Sequence, residues 1–217
     1  MGFDGTIRIA DHEVKPGVSS DEGEGDEWPD IRRRILNADV LIFGTPVWLG
    51  QASSIAKRVV ERMDAFLSET DEAGRMPSYG RVAVLAIVGN EDGAHHISAQ
   101  LYQALNDTGW TIPAAAVSYW VGEAMAKTDF KDLPQIPDKV QQTAAMVASN
   151  AAHLAGLLQC EPYPRRARMK GKLQTPGSTT AAGARLGTVV VLGSSASHGL
   201  PFLIAISRRT PWRKRST

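Results

Sequence analysis

The chain has 217 residues, 43% of them hydrophobic, enough to bury one substantial core. Its formal charge of +1 hides an asymmetry: residues 1–160 carry 22 acidic against 13 basic side chains, and residues 161–217 carry 11 basic side chains and one acid, Glu161. With Cys160 as the single cysteine, an intrachain disulfide and a cysteine-based metal site are excluded, and no apolar run reaches the ~18 residues of a bilayer span. The start lacks the basic-then-apolar order of a secretory leader, so a cytoplasmic protein is expected.

In chain order, Thr6-Ile7-Arg8-Ile9 alternates as a short strand, and the Gly-, Ser- and acid-rich stretch from Asp11 to Glu27 reads as an exposed loop. Pro29 sits where a first helical turn tolerates it, with Ile31, Ile35 and Ala38 as the apolar stripe behind it. Val40 to Phe43 is a continuous apolar run, the pattern of a strand covered on both faces. Gly44 to Gln51 reads as a loop, after which Ser53 caps a helix. That helix places Ile55, Val59, Met63 and Phe66 inward and Lys57, Arg58, Glu61 and Arg62 toward water.

The pattern repeats downstream. Val82 to Val88 is a buried strand, Gly89 to Gly93 a loop, and Ile97, Leu101 and Leu105 the stripe of a helix ending near Gly109. Ile112 to Trp120 reads as a strand, and a long helix is predicted from Asp138 to Leu158. Strands alternating with helices predict an α/β fold, a doubly wound parallel sheet with helices on both faces.

Ligands of such sheets bind beyond the carboxyl ends of the strands. Two loops occupy that position. In the first, Thr45, Pro46, Val47, Trp48, Leu49 and Gly50, the Thr45 hydroxyl and nearby amides suit an electron-rich ring edge, and Trp48 offers a flat apolar surface. The plainer account of Trp48 is a residue that covers the core. In the second, Gly89, Asn90, Glu91, Asp92, Gly93, Ala94, His95 and His96, two glycines permit close backbone approach, and Asn90 can meet polar ring atoms. Neighbouring His95 and His96 diverge by ~100° on a helix, so no metal is expected there, and His95 is a candidate ligand donor.

The two segments, in this order and separated by the helix and strand described, resemble the flavin-contacting segments of NADPH-dependent FMN reductases, a family of flavodoxin-like fold. The resemblance covers about residues 6–158. It implies an oxidoreductase with FMN as cofactor and NAD(P)H as electron donor, reducing free flavin, a quinone or another small acceptor. It also implies a homo-oligomer; from the residues themselves no nucleic-acid partner is expected, since the basic tail lacks aromatic interleaving or a recognised module, and no membrane partner, since no apolar run spans a bilayer. The flavin carries the hydride chemistry, so no catalytic side chain is required. A scaffold that binds no flavin and an FMN electron carrier are the competing readings.

One part of that family pattern is missing. A first strand followed by a Ser/Thr-rich phosphate loop is not recognisable at the amino-terminal end, where Ser19-Ser20 lies among Asp21, Glu22 and Glu24. Weak FMN binding, with riboflavin nearly as good, is the corresponding expectation. Residues 1–160 form the predicted flavodoxin-like domain, and residues 161–217 read as a basic, irregular tail. A second reading of the tail makes Thr188 to Leu192 the missing strand and Gly193 to Gly199 a permuted phosphate loop.

Overall fold

The computed structural model describes residues 5–124, 126–164 and 188–192, the last of these as backbone. Strands β1 (Thr6–Arg8), β2 (Val40–Trp48), β4 (Val82–Val88), β5 (Val117–Trp120) and β6 (Thr188–Leu192) form one sheet in the order β1-β6-β2-β4-β5, and every pair among them is parallel. A two-residue strand β3 (Gln51–Ala52) folds back antiparallel on the end of β2. The helices are α1 (Trp28–Leu36), α2 (Ser54–Met63), α3 (Ala94–Asp107) and α4 (Asp138–Cys160).

Strand periodicity assigns the two faces. Leu41, Phe43, Ala83, Leu85 and Ile87 pack with α1, α2 and α3 in the larger core, and Val40, Val82 and Val84 pack on the other face against Val147, Ala151 and Ala155 of α4. This is the expected α/β architecture. No helix among the described residues is long and apolar enough to cross a membrane.

Four local expectations change. Thr188–Leu192, inside the segment expected to be an irregular tail beyond residue 160, is a strand between β1 and β2. Its neighbours explain why. Without it β1 and the inner edge of β2 would each leave a row of unpaired N–H and C=O groups, and Val189 to Leu192 is the apolar run that a central parallel strand requires. Residues 165–187 and 193–217, including Arg165 to Arg168, Gly193 to Gly199 and Leu200 to Ile206, lie outside the described residues.

Next, β2 does not stop at Phe43 but pairs with β4 as far as Pro46 and turns into β3 through Leu49 and Gly50. Both turn residues have positive φ, 51° and 71°, as tight two-residue hairpins require. The strand expected from Ile112 begins only at Val117, because Pro113 lacks an N–H and Ala115 turns the chain at a φ of 52°.

Finally, Arg62, expected to face water, is fully buried. The acidic loop before α1 folds across α2, and Arg62 holds it there. Its Nη2 donates to Asp26 Oδ2 at 2.7 Å, its Nη1 to the Lys15 carbonyl at 2.9 Å and its Nε to the Ser19 carbonyl at 3.0 Å. The guanidinium also lies 5.7 Å from the ring centre of Trp28. Burial alone would raise the Asp26 carboxyl, but the Arg62 hydrogen bond and the amides of Glu22, Trp28 and Lys15 outweigh it and hold its pKa at about 2.

Candidate active site at the carboxyl ends of the strands

The two loops singled out by sequence meet at one edge of the sheet. Gly89 donates its amide to the Trp120 carbonyl at 2.9 Å, tying the end of β4 to the end of β5. Leu49 N donates to Glu91 Oε1 at 2.7 Å, tying the β2–β3 turn to the loop after β4. The glycines permit this contact. A Cβ on Gly93, whose φ is 141°, would stand 2.7 Å from Gly50 Cα, and one on Gly89 would stand 2.6 Å from Val47 Cβ. Gly93 therefore brings backbone onto backbone, and Gly89 brings the chain against the Val47 side chain.

The first turn of α3 bridges the two sides of the site. His95 Nε2 is 3.2 Å from the Tyr119 hydroxyl, with the rings edge to face. His96 Nε2 is 3.2 Å from Gln51 Oε1, and Gln51 pairs with Trp48 across the hairpin. The adjacent histidines thus diverge to different partners. Among the described residues, no three His, Cys, Asp or Glu side chains gather as metal ligands would.

The predicted residues divide into two groups. Trp48 is 42% exposed and Leu49 91% exposed, so the indole belongs to the surface of the site and not to the core. Asp92 and His95 are also exposed, and Gly50, Gly89, Asn90, Glu91 and Gly93 are half-buried around them. By contrast Thr45 and Val47 are buried, and Pro46 is half-buried within the strand. Thr45 Oγ1 accepts from Ser53 N at 3.1 Å and donates to the Pro46 carbonyl at 3.0 Å. That hydroxyl fixes β2 to the start of α2, where Ser53 caps the helix by accepting from Ala56 N at 3.1 Å.

Tyr119 is the residue that sequence reading missed. Its signal was its place one residue before the carboxyl end of β5, level with Thr45 of β2 through β4. Trp48 is an exposed aromatic side chain at the end of β2, and Tyr119, near the end of β5, has His95 held against it.

A flavin's ring fits these residues better than its phosphate does. The loop donors Leu49 N, Gly93 N and Asn90 Nδ2 are engaged by Glu91, Asp92 and the Ala126 carbonyl. Neither Gly44–Gln51 nor Gly89–His96 contains a lysine or arginine, and the second contains Glu91 and Asp92. A dianionic group would meet carboxylates there. A separate cleft lined by Glu69, Asp71, Arg75, Tyr79 and Arg81 lies at the opposite, amino end of β4.

Comparison with known proteins gives the family. The family model for NADPH-dependent FMN reductase matches residues 5–125, more than half of the chain. The chain is 30% identical over 169 residues to an 8-demethyl-8-aminoriboflavin-5′-phosphate synthase of Streptomyces davaonensis, covering 72% of this chain and 65% of that protein. It is 35% identical over 186 residues, 82% of its length, to a Mycobacterium bovis protein named a divalent metal cation transporter MntH. It spans 26% of that protein, so it is similar to one part of a much longer chain. The solved structure of RosB, with a bound 8-demethyl-8-formylriboflavin-5′-phosphate intermediate, is similar at a TM-score of 0.64 and 25% identity, covering 83% of this chain and 82% of that one.

Proposed function

The chain belongs to the NADPH-dependent FMN reductase family, and from that premise we propose that it is a flavin-dependent oxidoreductase that uses FMN and NAD(P)H to reduce a small acceptor such as free flavin or a quinone. The observation that carries this reading is the joining of the two loops at the carboxyl edge, with Trp48 on one and His95, held by Tyr119, on the other. FMN supplies the hydride chemistry when bound. The part of Trp48 and Tyr119 is to hold the ring, and that of His95, steadied by the Tyr119 hydroxyl, is to donate to or accept from its polar rim.

The test is spectroscopic. Purified protein, or protein supplied with FMN, is expected to show bound-flavin absorbance that bleaches anaerobically on addition of NADPH or NADH. A protein that takes up no flavin would sink the proposal. One that binds FMN without being reduced by either nucleotide would be an electron carrier instead.

A second reading is favoured by the two relatives whose names concern 8-substituted riboflavin phosphates. In it, a flavin 5′-phosphate is the substrate and leaves chemically altered. Mass spectrometry of the flavin after turnover separates the two: an unchanged mass supports the reductase, a changed mass the modifying enzyme.

A further inference from the structure

Glu91 lies in the loop after β4, and its carboxylate is engaged within the protein. Oε1 accepts the Leu49 amide at 2.7 Å, across 42 residues of sequence. What this bond holds is the hairpin that carries Trp48, whose other supports are slight. β3 is two residues long, and its ladder with β2 consists of the pairs Val47–Ala52 and Trp48–Gln51. So short a ladder is marginal by itself. Leu49 takes a φ of 51°, a conformation that costs any residue with a Cβ, and its side chain is 91% exposed, so packing does not fix the turn either. The contact of His96 with Gln51 grips the returning strand and not the turn. Gly93 completes the arrangement: without a Cβ it lets the loop of Glu91 lie against Gly50.

Resting on the flavin reading above, we propose that Glu91 is a positioning residue, whose carboxylate fixes the turn after Trp48 so that the indole stands ready for the flavin ring. It acts through Leu49 and Trp48 and does not touch the flavin. A charge-assisted bond to an amide is short and well directed. An aromatic surface set in advance binds its ligand without the ordering cost of a loose one. The role depends on reach and not on charge. A glutamine side chain would present a carbonyl oxygen at the same distance from the backbone. An aspartate would keep the charge but is one methylene shorter.

The experiment compares full-length Glu91→Ala, Glu91→Asp and Glu91→Gln with the unaltered protein by amide hydrogen exchange at Leu49 and by titration with FMN. Because Leu49 is so exposed, protection of its amide reports the Glu91 bond. Glu91→Ala and Glu91→Asp are expected to lose that protection and to bind FMN ~10-fold more weakly, at an unchanged melting temperature. Glu91→Gln is expected to keep protection and to bind FMN within ~3-fold of the unaltered protein. A carboxylate that met the flavin directly would make Glu91→Gln as damaging as Glu91→Ala, which would overturn the assignment. Lost protection with unchanged FMN affinity would overturn it too, as would an unprotected Leu49 amide in the unaltered protein. If the unaltered protein protects Leu49 but binds no flavin, the flavin reading falls and this assignment with it. Equal FMN binding by all four proteins leaves that reading standing and removes this one.

Discussion

Leu49 sits at a φ of 51° with a side chain 91% exposed, in a turn where Asn or Gly costs less. Retaining a strained apolar residue at the rim of the site suggests ligand contact. Leu49→Asn is therefore expected to raise stability by up to ~1 kcal/mol, read from denaturant midpoints, while weakening flavin binding. Higher stability with unchanged affinity would remove Leu49 from the site. Trp48→Ala makes the complementary case: its half-exposed indole predicts a loss of ~1–3 kcal/mol in FMN affinity with little change in melting temperature. Asp26 is the residue with a pH signature. Its folded pKa of about 2 lies below the ordinary 3.8, so its ionised form favours the folded state. That contribution, of order ~2 kcal/mol, is fully present above pH ~4 and is lost as pH falls toward ~2. Asp26→Asn should flatten stability across that window; an unchanged acid profile would show that the Arg62 pair is not its source.

Among elements, those with a regular apolar period were legible and those made by tertiary pairing were not. The stripe Ile97, Leu101, Leu105 identified α3, and the run Val82 to Val88 identified β4, because each buries a face that its own sequence writes out. The extension of β2 through Gly44, Thr45 and Pro46 was not legible, since glycine and proline read locally as a turn. It pairs with β4 there, and the described part of its ladder with β6 reaches Gly44. Arg62 was misplaced for a related reason: helical period puts it beside Glu61, and only the distant acceptors Lys15, Ser19 and Asp26 make its burial tolerable. The loop after β4 was legible as a strand-to-helix turn, and the first site segment only as the stretch between strand and helix, whereas Tyr119 depends on where β5 ends. For β6 the expectation is strict. Val190 stands opposite Thr6 and Ile42, so Val190→Pro withdraws an N–H from a strand paired on both sides. It should lower the unfolding midpoint by several kcal/mol equivalents and abolish flavin retention, with Val190→Thr close to the unaltered protein. A Val190→Pro protein of normal stability would place β6 outside the working sheet.

At the scale of the molecule, the sheet is closed by a strand that comes late in the chain. Val190 must find Thr6 across 184 residues before the centre of the sheet exists. Nearly all of the α/β layers, including the long helix α4, precede it in sequence. Loop closure over such a distance is slow, and contacts of this separation delay folding more than they alter stability. The order of the strands along the chain can be changed. A chain that begins at residue 186, runs to Thr217, continues from Met1 and ends near residue 164 brings Val190 to 33 residues from Thr6, counted through the new junction. The difference in closure entropy is about 1.5 kcal/mol, so refolding followed by stopped-flow fluorescence should accelerate by about tenfold if docking of β6 limits the rate. The rearranged protein should keep the same circular dichroism and the same preference between FMN and riboflavin, because every strand retains its neighbours. An unchanged refolding rate would place β6 docking after the limiting step. Failure of the rearranged chain to form the sheet would mean that residues 165–185 do more than connect α4 to β6.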